Sequence, residues 1–346
     1  MEKDLLLRPD ILMYAKMAQR GLGYVAGQVE LTSYCEQRCI ACESWREHVK
    51  NETHGALSFE TIKYLVNQLN EMSTFEHLSM TGGEPILWKD SMLPEMDFDK
   101  LLLALKIQGI RFTLQVNTAL VRTADFQIWR DVLSRVRVSL DGIKKETYKR
   151  MRGVEQDPEV IIQRMEELAH PGLAVMVCVA KENIKEVPEI IRRLNAMNNP
   201  PRKAMFLAVL GRQLNPEFWE EYRTLKLISS SRMATSFSED VSYVREFCNS
   251  EEAEKLPCYA GKISFHIKCN GDLHECCLAG GGEAIKSRKE MAIGNVYRQS
   301  LIEIQNLYQP KFHYKKGGVC SEVCQFKQLY MNRIAHEASK TILTMP

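Results

Sequence analysis

Residues 31–45 read "LTSYCEQRCIACESW" and place three cysteines, Cys35, Cys39 and Cys42, at gaps of three and two residues. The run directly follows "YVAGQVEL" (24–31), whose β-branched and alternating apolar residues read as a strand. The thiols therefore lie in a loop at a strand's C-terminal end. Four chemistries fit the spacing. A Cys₃His zinc knuckle would take His48 or His54 as its fourth ligand. A redox pair at Cys39 and Cys42 would leave Cys35 unexplained. Three buried thiols would act as small hydrophobes. A cubane iron–sulfur cluster held by three thiolates would keep one iron open for another ligand.

Outward from that loop, strand-like and helix-like runs alternate. The helix over 58–72 has Ser58 as its N-cap, the strand 76–82 ends in "MTG", and a helix follows at 98–109. The series continues with strand 110–117, helix 125–135, strand 136–142, helix 158–170, strand 174–180, helix 187–197 and strand 204–211. Six β-then-α units predict an α/β fold with parallel strands, its chemistry at the strands' C-terminal ends. "PEFWEEYRTLKLISSSR" reads as helix and "SSSRMATSFSED" as a polar linker; Asn270-Gly271 within "KISFHIKCNGDLHECC" predicts a β-hairpin. The expected division is an N-terminal extension over 1–23, a main domain over 24–230 and a small α+β domain over 231–346.

The totals narrow the function classes. The chain has 346 residues, 45% hydrophobic and 26% charged, with a formal net charge of +2. That balance gives no electrostatic footprint for nucleic acid or an anionic membrane. No run of about 18 apolar residues is present. The acidic start "MEKD" does not read as a secretory signal, so a cytoplasmic location is expected. Eleven cysteines in a reducing compartment point to metal ligation or catalysis rather than disulfides. Three lie at the front and seven in the last hundred residues, which suggests two thiol sites.

C-x₃-C-x₂-C after a first strand, "TGGEP" (81–85) after the second, and "SLDG" (139–142) with "MRG" (151–153) after the fourth together resemble the radical S-adenosylmethionine (SAM) superfamily. The resemblance implies a partial (β/α)₆, TIM-like barrel. It implies that Cys35, Cys39 and Cys42 hold a [4Fe-4S] cluster whose open iron is chelated by SAM. Reductive cleavage of SAM then yields a 5′-deoxyadenosyl radical that abstracts a substrate hydrogen atom. By the same resemblance, Gly82, Gly83 and Glu84 would meet the SAM ammonium, the glycines because they lack Cβ atoms. Ser139 and Asn117 would contact the cofactor, and Arg152 its carboxylate. Ser139 and Asp141 also read as caps of a following helix. Ala41 departs from the aromatic residue that relatives often carry there; Trp45 is close enough in sequence to substitute.

Cys258, Gly271 and Cys276, followed by "IGNVYRQSLIEI" (293–304), resemble the SPASM and twitch domains that hold auxiliary iron–sulfur clusters. The shorter twitch version, with one auxiliary cluster, implies Cys258, Cys276, Cys320 and Cys324 as its ligands and Cys277 as a substitute. A structural zinc site of the same four is the rival. Cys178, Cys248 and Cys269 read as buried thiols, with a second reading for Cys178 as a hydrogen-atom donor facing the barrel. The eight histidines show no pairing that would make a site.

The resemblance implies peptide or protein modification, with a reductant such as flavodoxin or ferredoxin as partner. Only 34 residues precede Cys35, too few for the leader-binding domain many peptide modifiers carry. That leaves oxidation of a small-molecule alcohol, a sugar or cyclitol, as a second expectation. A non-catalytic iron–sulfur or zinc protein is the third.

Overall fold

The computed structural model describes residues 23–42, 55–209, 216–228, 230–237, 250–276, 292–310 and 336. Ten strands form one sheet: β1 (Ala26–Thr32), β2 (His77–Gly82), β3 (Thr113–Thr118), β4 (Arg135–Ser139), β5 (Leu173–Val179), β6 (Lys203–Ala208), β7 (Ala234–Phe237), β8 (Ser264–Ile267), β9 (Asp272–His274) and β10 (Gly294–Asn295). Their order is β10-β9-β8-β1-β2-β3-β4-β5-β6-β7. All neighbours from β1 to β7 are parallel, as crossover helices require. This is the expected α/β architecture.

Side-chain alternation gives the sheet one apolar and one polar face. Val29, Leu31, Leu78, Met80, Leu114, Val116, Val136, Val138, Val175 and Val177 are buried in the core beneath the helices. The opposite face carries Gln28, Glu30, Ser79, Gln115, Asn117, Arg137 and Ser139, aligned by register from strand to strand. A parallel sheet usually has both faces apolar. Here one face, the concave side of the partial barrel, is kept polar.

The crossover helices form where expected. In α1 (Phe59–Glu71), Ser58 Oγ accepts from Thr61 N, and Ile62, Leu65, Val66 and Leu69 make the buried stripe. In α2 (Phe98–Gln108), Asp97 accepts from Lys100 N; in α3 (Phe126–Val132), Asp125 accepts from Gln127 N and Ile128 N. Trp129 of α3 is fully buried against Phe98, its indole N–H donating to Asp99 Oδ1 at 2.7 Å. Truncating such a residue costs about 3–5 kcal/mol.

Two readings of the sequence are corrected. Within the stretch expected to be a linker, Ala234–Phe237 is a strand that pairs in parallel with β6. Its register sets Phe237 opposite Phe206, and the two rings stack at 4.8 Å. The helix read as following Ser139 and Asp141 is α4 (Lys145–Arg152), with Thr147, Tyr148, Met151 and Arg152 buried; its N-cap is Lys144, so the capping reading is corrected. The Asn270-Gly271 hairpin is present as β8 and β9, but β8 also pairs in parallel with β1. Phe265 of β8 packs edge-on to Tyr24 at 4.8 Å, so the hairpin extends the main sheet.

Candidate active site

The cysteine loop leaves β1 and is held by α4. Arg38 N donates to Arg152 O at 2.8 Å, and Ile40 N donates to Met151 O at 2.9 Å. These are carbonyls of the helix's last turn, which have no partner within the helix. Gly153 ends α4 at φ +71°, and a Cβ there would lie 2.6 Å from Arg38 O. The "MRG" sequence is thus a helix end shaped to receive the loop.

The "GGEP" turn packs on the other side. Gly83 N donates to Thr32 O at 2.6 Å and Glu84 N to Tyr34 O at 2.8 Å. A Cβ on Gly83 would lie 2.2 Å from Tyr34 O, and Gly82 adopts φ +142°. The glycines are required by close approach to the chain's own backbone just ahead of Cys35. Glu84 is buried; its carboxylate accepts from Thr118 Oγ1 and, at 2.7 Å, from Ala119 N. Burial raises its pKa, against the lowering effect of these hydrogen bonds.

Asp141 does not cap α4, whose N-cap Lys144 has no side-chain bond. Instead its Oδ2 accepts from Arg152 Nη1 at 2.9 Å and its Oδ1 from Cys178 N at 2.7 Å. Arg152 is almost fully buried, and its Nε has no hydrogen-bond acceptor among the described residues. Asn117 is bound sideways: its Nδ2 donates to Ser79 Oγ at 3.1 Å and its Oδ1 accepts from Gln115 Nε2 at 2.9 Å. Ser139 ends β4 on the same concave face.

The three thiols share one electrostatic neighbourhood. Burial pushes Cys35 up to about 11, with Glu84 and Cys42 adding to the rise. Burial pushes Cys39 up to about 12; Arg152 opposes that rise, while Cys42 and Asp141 reinforce it. Cys178 is also raised, by burial first and then by Asp141, with Arg152, Cys39 and Cys42 within reach. It packs with Met151, Ala180 and Val209 beside Ile40 and Ala41. The structure thus brings Cys35, Cys39, Cys42, Glu84, Asp141, Arg152 and Cys178 together at the C-terminal ends of neighbouring strands. Soft thiolates in such a set suit iron–sulfur ligation. Among the described residues, no three His, Cys, Asp or Glu side chains converge as ligands of a single metal ion.

A second group gathers around Tyr308, which follows the helix Leu301–Leu307. Its hydroxyl lies 2.8 Å from Glu275 Oε2 and 3.3 Å from Cys258 O. Burial raises its pKa, reinforced by Glu275, Cys258 and Cys276. Cys258 and Cys276 are therefore brought together, while Cys248, Cys277, Cys320 and Cys324 lie outside the described residues. So do His48, His54 and Trp45.

Two histidines meet across the hairpin, without forming a metal site among the described residues. The hairpin register sets His266 opposite His274, and His266 Nε2 lies 3.1 Å from Glu30 Oε1 on β1. Both histidines sit four residues from Asn270, a symmetry about the turn that the sequence displayed.

Family comparison agrees with this arrangement at both ends. Residues 29–194 match the radical SAM superfamily model, and residues 258–325 match SPASM, an iron–sulfur cluster-binding domain. The chain thus carries a radical SAM domain followed by a SPASM iron–sulfur domain. The radical SAM domain implies SAM and a [4Fe-4S] cluster as cofactors, and the SPASM domain implies auxiliary iron–sulfur binding.

Curated relatives include a GTP 3',8-cyclase of Clostridium botulinum, 29% identical over 124 residues, and a probable GTP 3',8-cyclase of Archaeoglobus fulgidus, 28% identical over 214 residues. The matches cover 35% and 60% of this chain, and 36% and 68% of those relatives. Among solved structures, Streptococcus suis SuiB bound to its precursor peptide SuiA aligns at TM-score 0.60 and 16% identity, over 84% of this chain and 67% of that one. The anSMEcpe structure with bound AdoMet and Cp18Cys peptide aligns at TM-score 0.55 and 14% identity, over 93% and 98%. These likenesses show a shared fold.

Among the described residues, no helix is long and apolar enough to cross a membrane.

Proposed function

We propose that this radical SAM enzyme modifies a peptide or protein, abstracting a hydrogen atom from a residue laid along the concave face. The observation that carries the radical reading is the gathering of Cys35, Cys39 and Cys42 with Arg152 and Glu84 at adjoining strand ends. In this reading Cys35, Cys39 and Cys42 ligate the catalytic cluster. The partnerless, buried Nε of Arg152 is the donor left for the SAM carboxylate, with Nη1 held by Asp141. Gly82, Gly83 and Glu84 shape the turn beside the cofactor's amino group. Asn117 and Ser139 present amide and hydroxyl from β3 and β4. Cys258 and Cys276, with Cys320 and Cys324, hold one auxiliary cluster in a region running from about residue 231 to the end.

When bound and reduced, the cluster and SAM supply one-electron cleavage that ends in hydrogen-atom abstraction from the substrate. The chain's own residues do the rest. Burial of Arg152, Asp141 and Glu84 keeps water from the reacting centre, and the Arg152–Asp141 pair fixes the loop's distance from β4.

The peptide reading is supported by the two peptide-bound structures that share this fold along most of the chain. A second reading, a small-molecule substrate, is favoured by the higher identity to the GTP 3',8-cyclases. The test is anaerobic. Reconstituted enzyme with dithionite and SAM is given either GTP or peptides translated from short reading frames adjoining the gene. A peptide that loses mass by whole hydrogen pairs while 5′-deoxyadenosine accumulates supports the first reading; conversion of GTP alone overturns it.

A further inference from the structure

The concave face carries an arginine that the cofactor reading does not use. Arg137 is the middle residue of β4, between Val136 and Val138, which are fully buried on the helix side. Strand alternation puts its side chain on the polar face, in register with Asn117 of β3 and one residue pair below Ser139. It is partly buried.

The acids that could neutralise it are engaged elsewhere. Glu30 bonds His266, Asp141 bonds Arg152 and Cys178 N, and Glu84 bonds Thr118 and Ala119. Among the described residues no carboxylate pairs with Arg137, and the charge that acts on it is the like charge of Arg135. Burial and that repulsion both lower its pKa. An arginine partly withdrawn from water beside a like charge is destabilising unless a counter-charge reaches it. On the neighbouring strand, Gln115 offers a buried acceptor, Oε1, that has no partner among the described residues. Its amide N–H groups are turned to Ser79 and Asn117, leaving that oxygen for a ligand donor.

We infer that Arg137 is a substrate-recognition residue that binds an oxyanion, a carboxylate or a phosphate, on the molecule occupying the concave face. Its planar fork of donors matches both anions bidentately. The inference rests on the reading that substrate lies on this face below the cofactor, and it holds for an acidic peptide or a nucleotide alike. The carboxylate of SAM is the competing source, disfavoured because Arg137 lies deeper than Ser139 and because Arg152 keeps a free donor beside the cysteine loop.

The probe is selenate, read by anomalous scattering in crystals of the cluster-loaded, SAM-bound enzyme and by equilibrium binding in solution. Selenate within hydrogen-bonding distance of the Arg137 guanidinium is expected. Binding should weaken about tenfold or more in Arg137→Gln, recover partly in Arg137→Lys and stay unchanged in Arg135→Gln. SAM affinity and substrate-free 5′-deoxyadenosine formation should be unaltered in Arg137→Gln, which also shows that the variant folds. GTP and a glutamate-rich peptide, offered as competitors of selenate, tell phosphate from carboxylate. Absence of selenate at Arg137, equal binding by Arg137→Gln, or loss of SAM affinity in that variant would overturn the inference. The first two outcomes leave the radical SAM reading standing, because SAM cleavage is measured separately.

Discussion

Arg152 Nη1 donates to Asp141 Oδ2 at 2.9 Å, with both side chains almost wholly buried. The pair joins the segment after β4 to the end of α4, whose carbonyls in turn hold Arg38 N and Ile40 N of the cysteine loop. Asp141→Asn keeps the shape and leaves a buried guanidinium without its carboxylate. Removing one partner of a buried pair costs about 3–5 kcal/mol. We expect a loss of that order in urea unfolding of the metal-free protein, and less iron per chain after reconstitution. An unchanged midpoint would show that the pair does not hold the loop.

Two glycines should be intolerant for steric reasons. Gly153→Ala places a Cβ 2.6 Å from Arg38 O in a left-handed conformation, and Gly83→Ala places one 2.2 Å from Tyr34 O. The blocking atoms are backbone, so the cysteine loop itself must move. Both variants are expected to fold and to incorporate less iron than wild type, while Gly109→Ala, where φ is +81° but the space is open, keeps full iron content. Iron and sulfide assays check this. Full iron content in Gly83→Ala would refute the packing argument.

His170 gives a pH signature. It is buried, its Nδ1 accepts from Gly172 N at 2.8 Å and its Nε2 lies 2.8 Å from Leu133 O. Protonating Nδ1 would break the Gly172 bond, and burial lowers the pKa below the usual 6.5. A folded-state pKa below the unfolded value means stability is full above about pH 6.5 and falls as the pH drops toward the depressed value. Unfolding midpoints of wild type should therefore fall across that window, and those of His170→Gln should fall less. Parallel pH profiles would contradict the assignment.

The contact between Glu30 and His266 joins residues 236 apart in sequence. Glu30→Ala should loosen the hairpin from β1. Faster amide hydrogen exchange in Ser264–Ile267, without change in Thr113–Thr118, is the expected result. Unchanged exchange in β8 would mean that Phe265 packing alone holds the hairpin.

The alternation of strands and helices was legible because each crossover carried a cap and an apolar stripe, as Ser58 and Ile62–Leu69 show. The strand β7 was hidden because "ATSF" is short, polar in appearance and only partly covered. The bounds of α4 were hidden because five of the eight residues in "KETYKRMR" are charged, and its buried face includes Arg152 itself. The cysteine loop, "GGEP" and "MRG" were legible as motifs, but not the reason for their glycines. That reason is contact between backbones distant in sequence, which no local pattern encodes. The pairing of β8 with β1, and with it the meeting of Glu30 and His266, depends on the same kind of long-range register.

The most direct test of the account is the yield of 5′-deoxyadenosine from SAM and dithionite under anaerobic conditions, measured beside iron content. Wild-type enzyme should form it, and variants with Cys35, Cys39 and Cys42 replaced by Ala should not, while they retain iron in the C-terminal region. Undiminished 5′-deoxyadenosine in those variants, or none from a wild-type protein that carries its full iron, would contradict the assignment of these three thiols to the reaction.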